Sequence, residues 1–134
     1  MNSINPLLRK VAEFNKAFGI ENQMFPTIPD TATLELRYKL ALEELEEFKE
    51  AADKEDIVGM FDALVDQLYI LLGTVHSCGM GIALEDGFYE VHRSNMTKLD
   101  KDGKPVYRED GKVIKSERYD PPNLQKIIKE TYLL

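Results

Sequence analysis

The sequence predicts an all-α fold, a helical bundle of about five helices with a short hairpin-like basic arm near the C-terminus. Two observations carry this. Apolar residues recur at helical spacing through most of the chain, and the paired punctuation (Pro26 and Pro29, Gly79 and Gly81, Pro121 and Pro122) falls between those stretches. A third observation bounds the size: 134 residues with 43% hydrophobic content make one domain with a sufficient core. Repeats and low-complexity tracts are absent.

The first helix is expected from about Asn5 to Phe18, with Pro6 at its first position, where a missing N–H costs nothing. Leu7, Val11, Phe14 and Phe18 would form its buried face, and Gly19 its stop. After the Pro26–Pro29 loop, an acidic helix runs from about Thr33 to Asp53 and a nearly all-apolar one from about Asp56 to Cys78. The apolar circumference of the latter (Phe61, Leu64, Val65, Leu68, Leu71, Leu72, Val75) makes it the expected central, buried helix. A fourth helix, about Leu84 to Lys98, carries Leu84, Phe88, Val91 and Met96. Asp110-Gly111 between Val106-Tyr107-Arg108 and Lys112-Val113-Ile114 reads as a hairpin, and a last helix follows from Leu124 to about Tyr132.

The acids of the second helix are placed unevenly. Glu43, Glu44 and Glu47 occupy an arc of about 100°, and Glu44 and Glu47 interrupt the stripe Leu40, Glu44, Glu47, Ala51. Carboxylates at the border of a core need a partner, because desolvating an ion costs several kcal/mol. No Lys or Arg lies between Asp56 and Ser77, whereas Asp62 and Asp66 stand one turn apart on that helix. A divalent cation from solution is the natural counter-charge. The stretch Glu35–Asp66 holds eleven acids against four bases, so it carries the whole net charge of −7, while 1–34 and 67–134 each balance. An acidic body of this kind argues against nucleic acid and anionic membranes as partners. From His92 to Arg118, in contrast, eight bases face five acids, a basic arm suited to a phosphate ligand or simply an exposed hairpin.

Other sites are excluded. Neither His76 nor His92 has the Glu three residues earlier that a di-iron bundle requires. One Cys and two separated His disfavour zinc, Asp100-Lys101-Asp102-Gly103 lacks calcium-loop spacing, and there is no Walker-type loop. The single Cys78 excludes an internal disulfide, and the run Leu64–Val75 is too short and interrupted to span a bilayer. A soluble, cytoplasmic protein is expected, with Cys78 as a small buried thiol.

Glu43-Glu44-x-x-Glu47, Asp66 in Asp-Gln-Leu-Tyr-Ile-Leu-Leu-Gly, and Val91-His92-Arg93-Ser94-Asn95-Met96-Thr97-Lys98 together resemble the MazG-like, phosphoribosyl-ATP pyrophosphohydrolase-like group of all-α NTP pyrophosphatases. The similarity runs from about Leu7 to the Pro121-Pro122 break. It implies hydrolysis of a nucleoside triphosphate between the α and β phosphates, releasing the monophosphate and pyrophosphate, with dUTP among the substrates that relatives prefer. It also implies Mg²⁺, for which Mn²⁺ can stand in, bound by Glu43, Glu44, Glu47 and Asp66. The family's second-helix Glu falls on Ala63, and Asp62, on the face of Asp66, is its candidate replacement. Glu47 or Glu44 would take the proton of the attacking water.

Asn95 and Lys98 are implied phosphate contacts, with Arg93 beside them and Lys115 on the arm as a further one. Tyr69 either lines the nucleotide pocket or packs in the core, and His92 reads as a structural hydrogen-bonding residue. The apolar third helix and the habit of relatives together imply a homodimer or homotetramer. Two other readings stay open. One is a non-catalytic helical scaffold binding nucleotide or protein, favoured only by Ala63. The other is phosphoribosyl-ATP hydrolysis itself, which the long arm disfavours.

Overall fold

A computed structural model describes residues 4–134. The architecture is all-α: helices α1 (Asn5–Ala17), α2 (Thr31–Asp53), α3 (Ile57–Ser77), α4 (Leu84–Met96) and α5 (Leu124–Tyr132), with strands β1 (Val106–Tyr107) and β2 (Val113–Ile114) paired antiparallel. Every helix boundary falls within two residues of the expected one. The chain divides into two compact units, Met1–Gly81 and Ile82–Leu134.

In the first unit, α2 and α3 form an antiparallel pair joined by a tight turn. Asp30 caps α2 by accepting from the Thr33 N–H at 2.8 Å, and Asp56 caps α3 by accepting from the Gly59 N–H at 2.9 Å. Between them Glu55 takes the left-handed conformation and the Asp56 N–H closes the turn onto the Ala51 carbonyl at 2.9 Å. The face that α3 turns to α2 is built from small and medium residues. A Cβ on Gly59 would stand 3.2 Å from that of Ala51, whereas at the other end Arg37 lies over Gly73, donating to Thr74 Oγ1 at 2.9 Å and to the Ile70 carbonyl at 2.6 Å. Gly59, Ala63, Gln67, Ile70 and Thr74 therefore form one helical stripe toward α2. The opposing stripe of α2 runs from Arg37 through Glu44 to Ala51.

This packing corrects the expectation of a buried central helix. Small residues let α2 approach, so only Ala63, Leu72, Gly73 and Ser77 of α3 are buried, while Ile57 and Phe61 remain 74% and 69% exposed. At 21 residues with a mean hydropathy of 1.4 in its most apolar window, α3 is also long and apolar enough to cross a membrane by length and composition alone. The shorter run Leu64–Val75 had suggested otherwise.

Helix α1 likewise buries Leu8, Val11 and Asn15 rather than Leu7, Phe14 and Phe18. Asn15 displaces the expected aromatics because its amide is satisfied inside: Nδ2 donates to Asn22 Oδ1 at 2.9 Å, and Asn22 in turn donates to the Ala12 carbonyl at 3.1 Å. His76 Nε2 meets the Leu8 carbonyl at 2.7 Å, tying α1 to α3. The connecting loop runs along the end of α3, where the Gln23 and Thr27 N–H groups donate to the His76 and Cys78 carbonyls. Gly79, at φ +70°, lets the loop pass, since a Cβ there would stand 1.8 Å from the Phe25 carbonyl oxygen. Cys78 caps the C-terminus of α3 and is half-buried, not buried.

In the second unit, Ser94 of α4 is 1% exposed and donates to the Asp120 carbonyl at 2.7 Å, while the Asp120 N–H donates to Thr97 Oγ1 at 2.8 Å. Ser116 holds the same loop to the Leu99 carbonyl at 2.8 Å. The hairpin pairs Val106 with Ile114 and Tyr107 with Val113, and Asn123 caps α5. Buried Tyr132 of α5 accepts from the Ala83 N–H. The expected face of α4 is otherwise open, with Phe88 70% exposed.

Candidate active site

The positions of the acids follow from the register of α2 on α3. Arg37 marks one end of the contact, against Gly73 and Thr74, and Ala51 the other, against Gly59. Seven residues inward from each end, about two helical turns, Glu44 comes level with Asp66 and Gln67. Glu47, three residues further along α2, comes level with Ala63.

Glu44, Glu47 and Asp66 each bring a carboxylate oxygen within 4.8 Å of the others, Glu44 and Asp66 half-buried and Glu47 exposed. Burial pushes the Glu44 carboxyl up to about 7, helped by a hydrogen bond to Glu47 and by the charges of Glu47, Asp66 and Asp62. Burial likewise raises Asp66, followed by the charges of Asp62 and Glu47. Mutual repulsion of this kind is relieved by a proton or a cation.

A divalent metal fits the residues present. The donors are all oxygen, as hard cations require, and Glu44 Oε2 is buried without any hydrogen-bond partner. Of the other proposed ligands, Asp62 is exposed but close enough for its charge to act on Glu44 and Asp66. Glu43 is exposed and stands outside the group of converging carboxylates among the described residues.

Tyr69 packs edge-on against Phe14, ring centroids 5.6 Å apart, so it joins the aromatic contact between α1 and α3. Asn95, Lys98, Arg93 and Lys115 all belong to the second unit. Arg93 is already engaged there, paired with Glu90 and with Asp120 at 2.9 Å. Lys98, Lys112 and Lys115 line an open groove of about 250 Å³ with Val113 and Ile114, and the Lys115 ammonium sits 4.6 Å from the Tyr119 ring centroid. Asn95 and His92 are exposed on α4.

Two residues of the first unit escaped the sequence reading. Arg37 looked like one of four bases scattered along an acidic stretch, yet it clamps the helix pair that carries the acids. Gln67, next to Asp66 in the sequence of an apolar helix, has its Nε2 buried with no partner. Gly73, seven residues beyond Asp66 on an apolar helix, was the available signal for a close approach.

An all-α chain with carboxylates converging between antiparallel helices defines a helical protein with an acidic cluster that could bind a divalent cation. The chain belongs to the phosphoribosyl-ATP pyrophosphohydrolase family, whose model matches residues 11–95, and so to the MazG-like all-α NTP pyrophosphatase superfamily. It is a pyrophosphohydrolase acting on acid anhydrides, with a nucleotide as partner, from a family that depends on divalent metal. The matched segment spans all three converging acids and ends at Asn95, before Lys98 and the basic arm. No curated protein matches the chain.

Proposed function

We propose that the protein is a Mg²⁺-dependent nucleoside triphosphate pyrophosphohydrolase, able to use Mn²⁺, that cleaves between the α and β phosphates to give the monophosphate and pyrophosphate. Its physiological substrate is dUTP or another nucleotide or deoxynucleotide, in a house-cleaning role. The observation that carries this is the convergence of Glu44, Glu47 and Asp66 with one buried Glu44 oxygen unpaired, in a chain of this family.

Glu44, Glu47 and Asp66 would hold the metal, with Asp62 adding negative charge nearby. A bound divalent cation neutralises polyphosphate charge and lowers the pKa of a water on it. Glu44, half-buried, is suited to a fixed ligand role. Glu47, exposed at the edge of the group, is the acid that water reaches, and it takes the proton of the attacking water. Asn95 and Lys98 hold the phosphates on the strength of the family resemblance.

The open apolar face of α3, with Ile57, Val58, Phe61 and Leu71 all more than half exposed, supports a homodimer or homotetramer. The single Cys78 supports a reducing, cytoplasmic setting, and the net charge of −7 disfavours nucleic acid and anionic membrane surfaces as partners.

The test is pyrophosphate release from NTPs and dNTPs, dUTP included, with Mg²⁺, Mn²⁺ or EDTA. Metal-dependent release with a clear preference for one nucleotide class is expected. A second reading is phosphoribosyl-ATP hydrolysis, favoured by the description of the matching family, and turnover of phosphoribosyl-ATP alone would select it. Silence with all substrates, from a folded protein, would select the scaffold reading that Ala63 favours.

A further inference from the structure

Among the described residues, two buried side-chain polar atoms have no hydrogen-bond partner, and they are complementary. One is an acceptor, Glu44 Oε2, and the other a donor, Gln67 Nε2. Glu44 is the middle of the α2 stripe that faces α3, and Gln67 the middle of the α3 stripe that faces α2. The contacts at both ends of the pair, Arg37 on Gly73 and Thr74 and Ala51 on Gly59, put the two residues at the same level. A buried group without a partner costs about 1–3 kcal/mol; the two make no hydrogen bond to one another in this structure, and two such complementary groups at one level between the same helices call for an explanation.

We propose that Gln67 is a positioning residue for the acid cluster: with a divalent cation bound, its side-chain amide turns to donate to Glu44 and holds that carboxylate toward the cation. The inference rests on the metal-site reading of Glu44, Glu47 and Asp66. Metal ligands are oriented by hydrogen bonds to the atoms that the metal leaves free, and the residue type suits the place. Beside Asp66 and level with Glu44, a Lys would compete with the cation and another acid would add to repulsion already felt by both carboxyls. A neutral amide donor orients without changing the charge. Thr74, further along the same stripe, is engaged by Arg37 and the Ile70 carbonyl, so the donor at this level is Gln67.

The experiment is Mn²⁺ binding to the full chain by calorimetry, with melting in EDTA measured alongside, for wild type, Gln67→Met and Gln67→Glu. Gln67→Met removes the donor at similar volume. It is expected to weaken Mn²⁺ binding about tenfold or more while leaving the metal-free melting temperature unchanged or raised. Gln67→Glu is expected to weaken binding as well, since it too lacks the donor. Binding that is retained or tightened in Gln67→Glu would make residue 67 a direct ligand and overturn the positioning role. Lowered melting with unchanged Mn²⁺ affinity in Gln67→Met would also overturn it, by showing that the amide serves packing alone. Wild type that binds no Mn²⁺ overturns the metal site itself and Gln67 with it.

Discussion

Gly73 and Arg37 set the register on which the acid cluster depends, and a mutant cycle can isolate their coupling. A methyl group on Gly73 would stand 2.6 Å from Arg37 Nη2 and 3.3 Å from Cζ, so the guanidinium must leave its bonds to Thr74 and the Ile70 carbonyl. Hydrogen bonds from a charged donor contribute about 1.5–3 kcal/mol each, and the half-exposed setting places the two together at about 3 kcal/mol. Against this, Ala gains about 1 kcal/mol of helix propensity over Gly in a helix interior. Gly73→Ala alone is therefore expected to destabilise by about 2 kcal/mol, a fall of roughly 8 °C in Tm. In an Arg37→Met background the guanidinium is gone, and the same change should stabilise by about 1 kcal/mol, a coupling of about 3 kcal/mol. Urea denaturation of the four proteins measures the cycle. Equal effects of Gly73→Ala in both backgrounds would refute the clamp, and with it the register argument that levels Glu44 with Asp66.

Gly79→Ala forces a left-handed residue against the Phe25 carbonyl and should cost at least about 2 kcal/mol. Because the clash releases the 20–30 loop, limited proteolysis there should accelerate too. Ser94→Ala deletes the bond that holds the Asp120 carbonyl to α4 and should cost about 1–2 kcal/mol, read as hydrogen exchange at the Asp120 and Thr97 amides. The raised carboxyl of Glu44 fixes the sign of a pH effect. A folded-state pKa of about 7 against 4.5 means the folded protein holds the extra proton, so its contribution is complete below about pH 4.5 and is lost as pH rises through 7. In EDTA, Tm should fall across that window. Glu44→Gln should flatten the slope and raise Tm at pH 8 while abolishing metal-dependent hydrolysis.

The helices were legible because their caps and stops are local: Asp30, Asp56 and Asn123 each accept from an N–H three residues on. The convergence of Glu44, Glu47 and Asp66 was legible for a similar reason, two acids on one helical face and an acid on the following helix. Which face of α3 meets α2 was not legible. Apolar residues surround that helix, and a hydrophobic pattern points to the large ones, whereas close antiparallel packing selected the row Gly59, Ala63, Gln67, Ile70, Thr74 and left Phe61 outside. Asn15 was missed because only tertiary bonding to Asn22 makes a buried amide acceptable. Glu43 shares the arc of Glu44 and Glu47 and the motif of the resemblance, yet it is exposed and outside the converging group among the described residues.

At position 63, where the resemblance implies a Glu, this chain carries an alanine. Ala63 is 2% exposed, in the row that faces α2 and level with Glu47. A Glu there would place a fourth carboxylate beside Glu44 and Asp66, whose carboxyls burial and neighbouring charge already raise. It would also add volume at a position that is already buried, where overpacking costs about 1–3 kcal/mol. Asp62, one position earlier, instead contributes negative charge from the exposed side, without occupying the contact. Three substitutions separate those arrangements. Ala63→Glu should lower the melting temperature in EDTA and recover it in Mn²⁺, because an added carboxylate is harmful until a cation neutralises it. Asp62→Asn should leave the fold intact and weaken Mn²⁺ binding only a few-fold, about the effect of one nearby solvated charge, whereas Asp66→Asn should nearly abolish it. Equal losses for Asp62→Asn and Asp66→Asn would make Asp62 a ligand in its own right, standing in for the acid that Ala63 lacks.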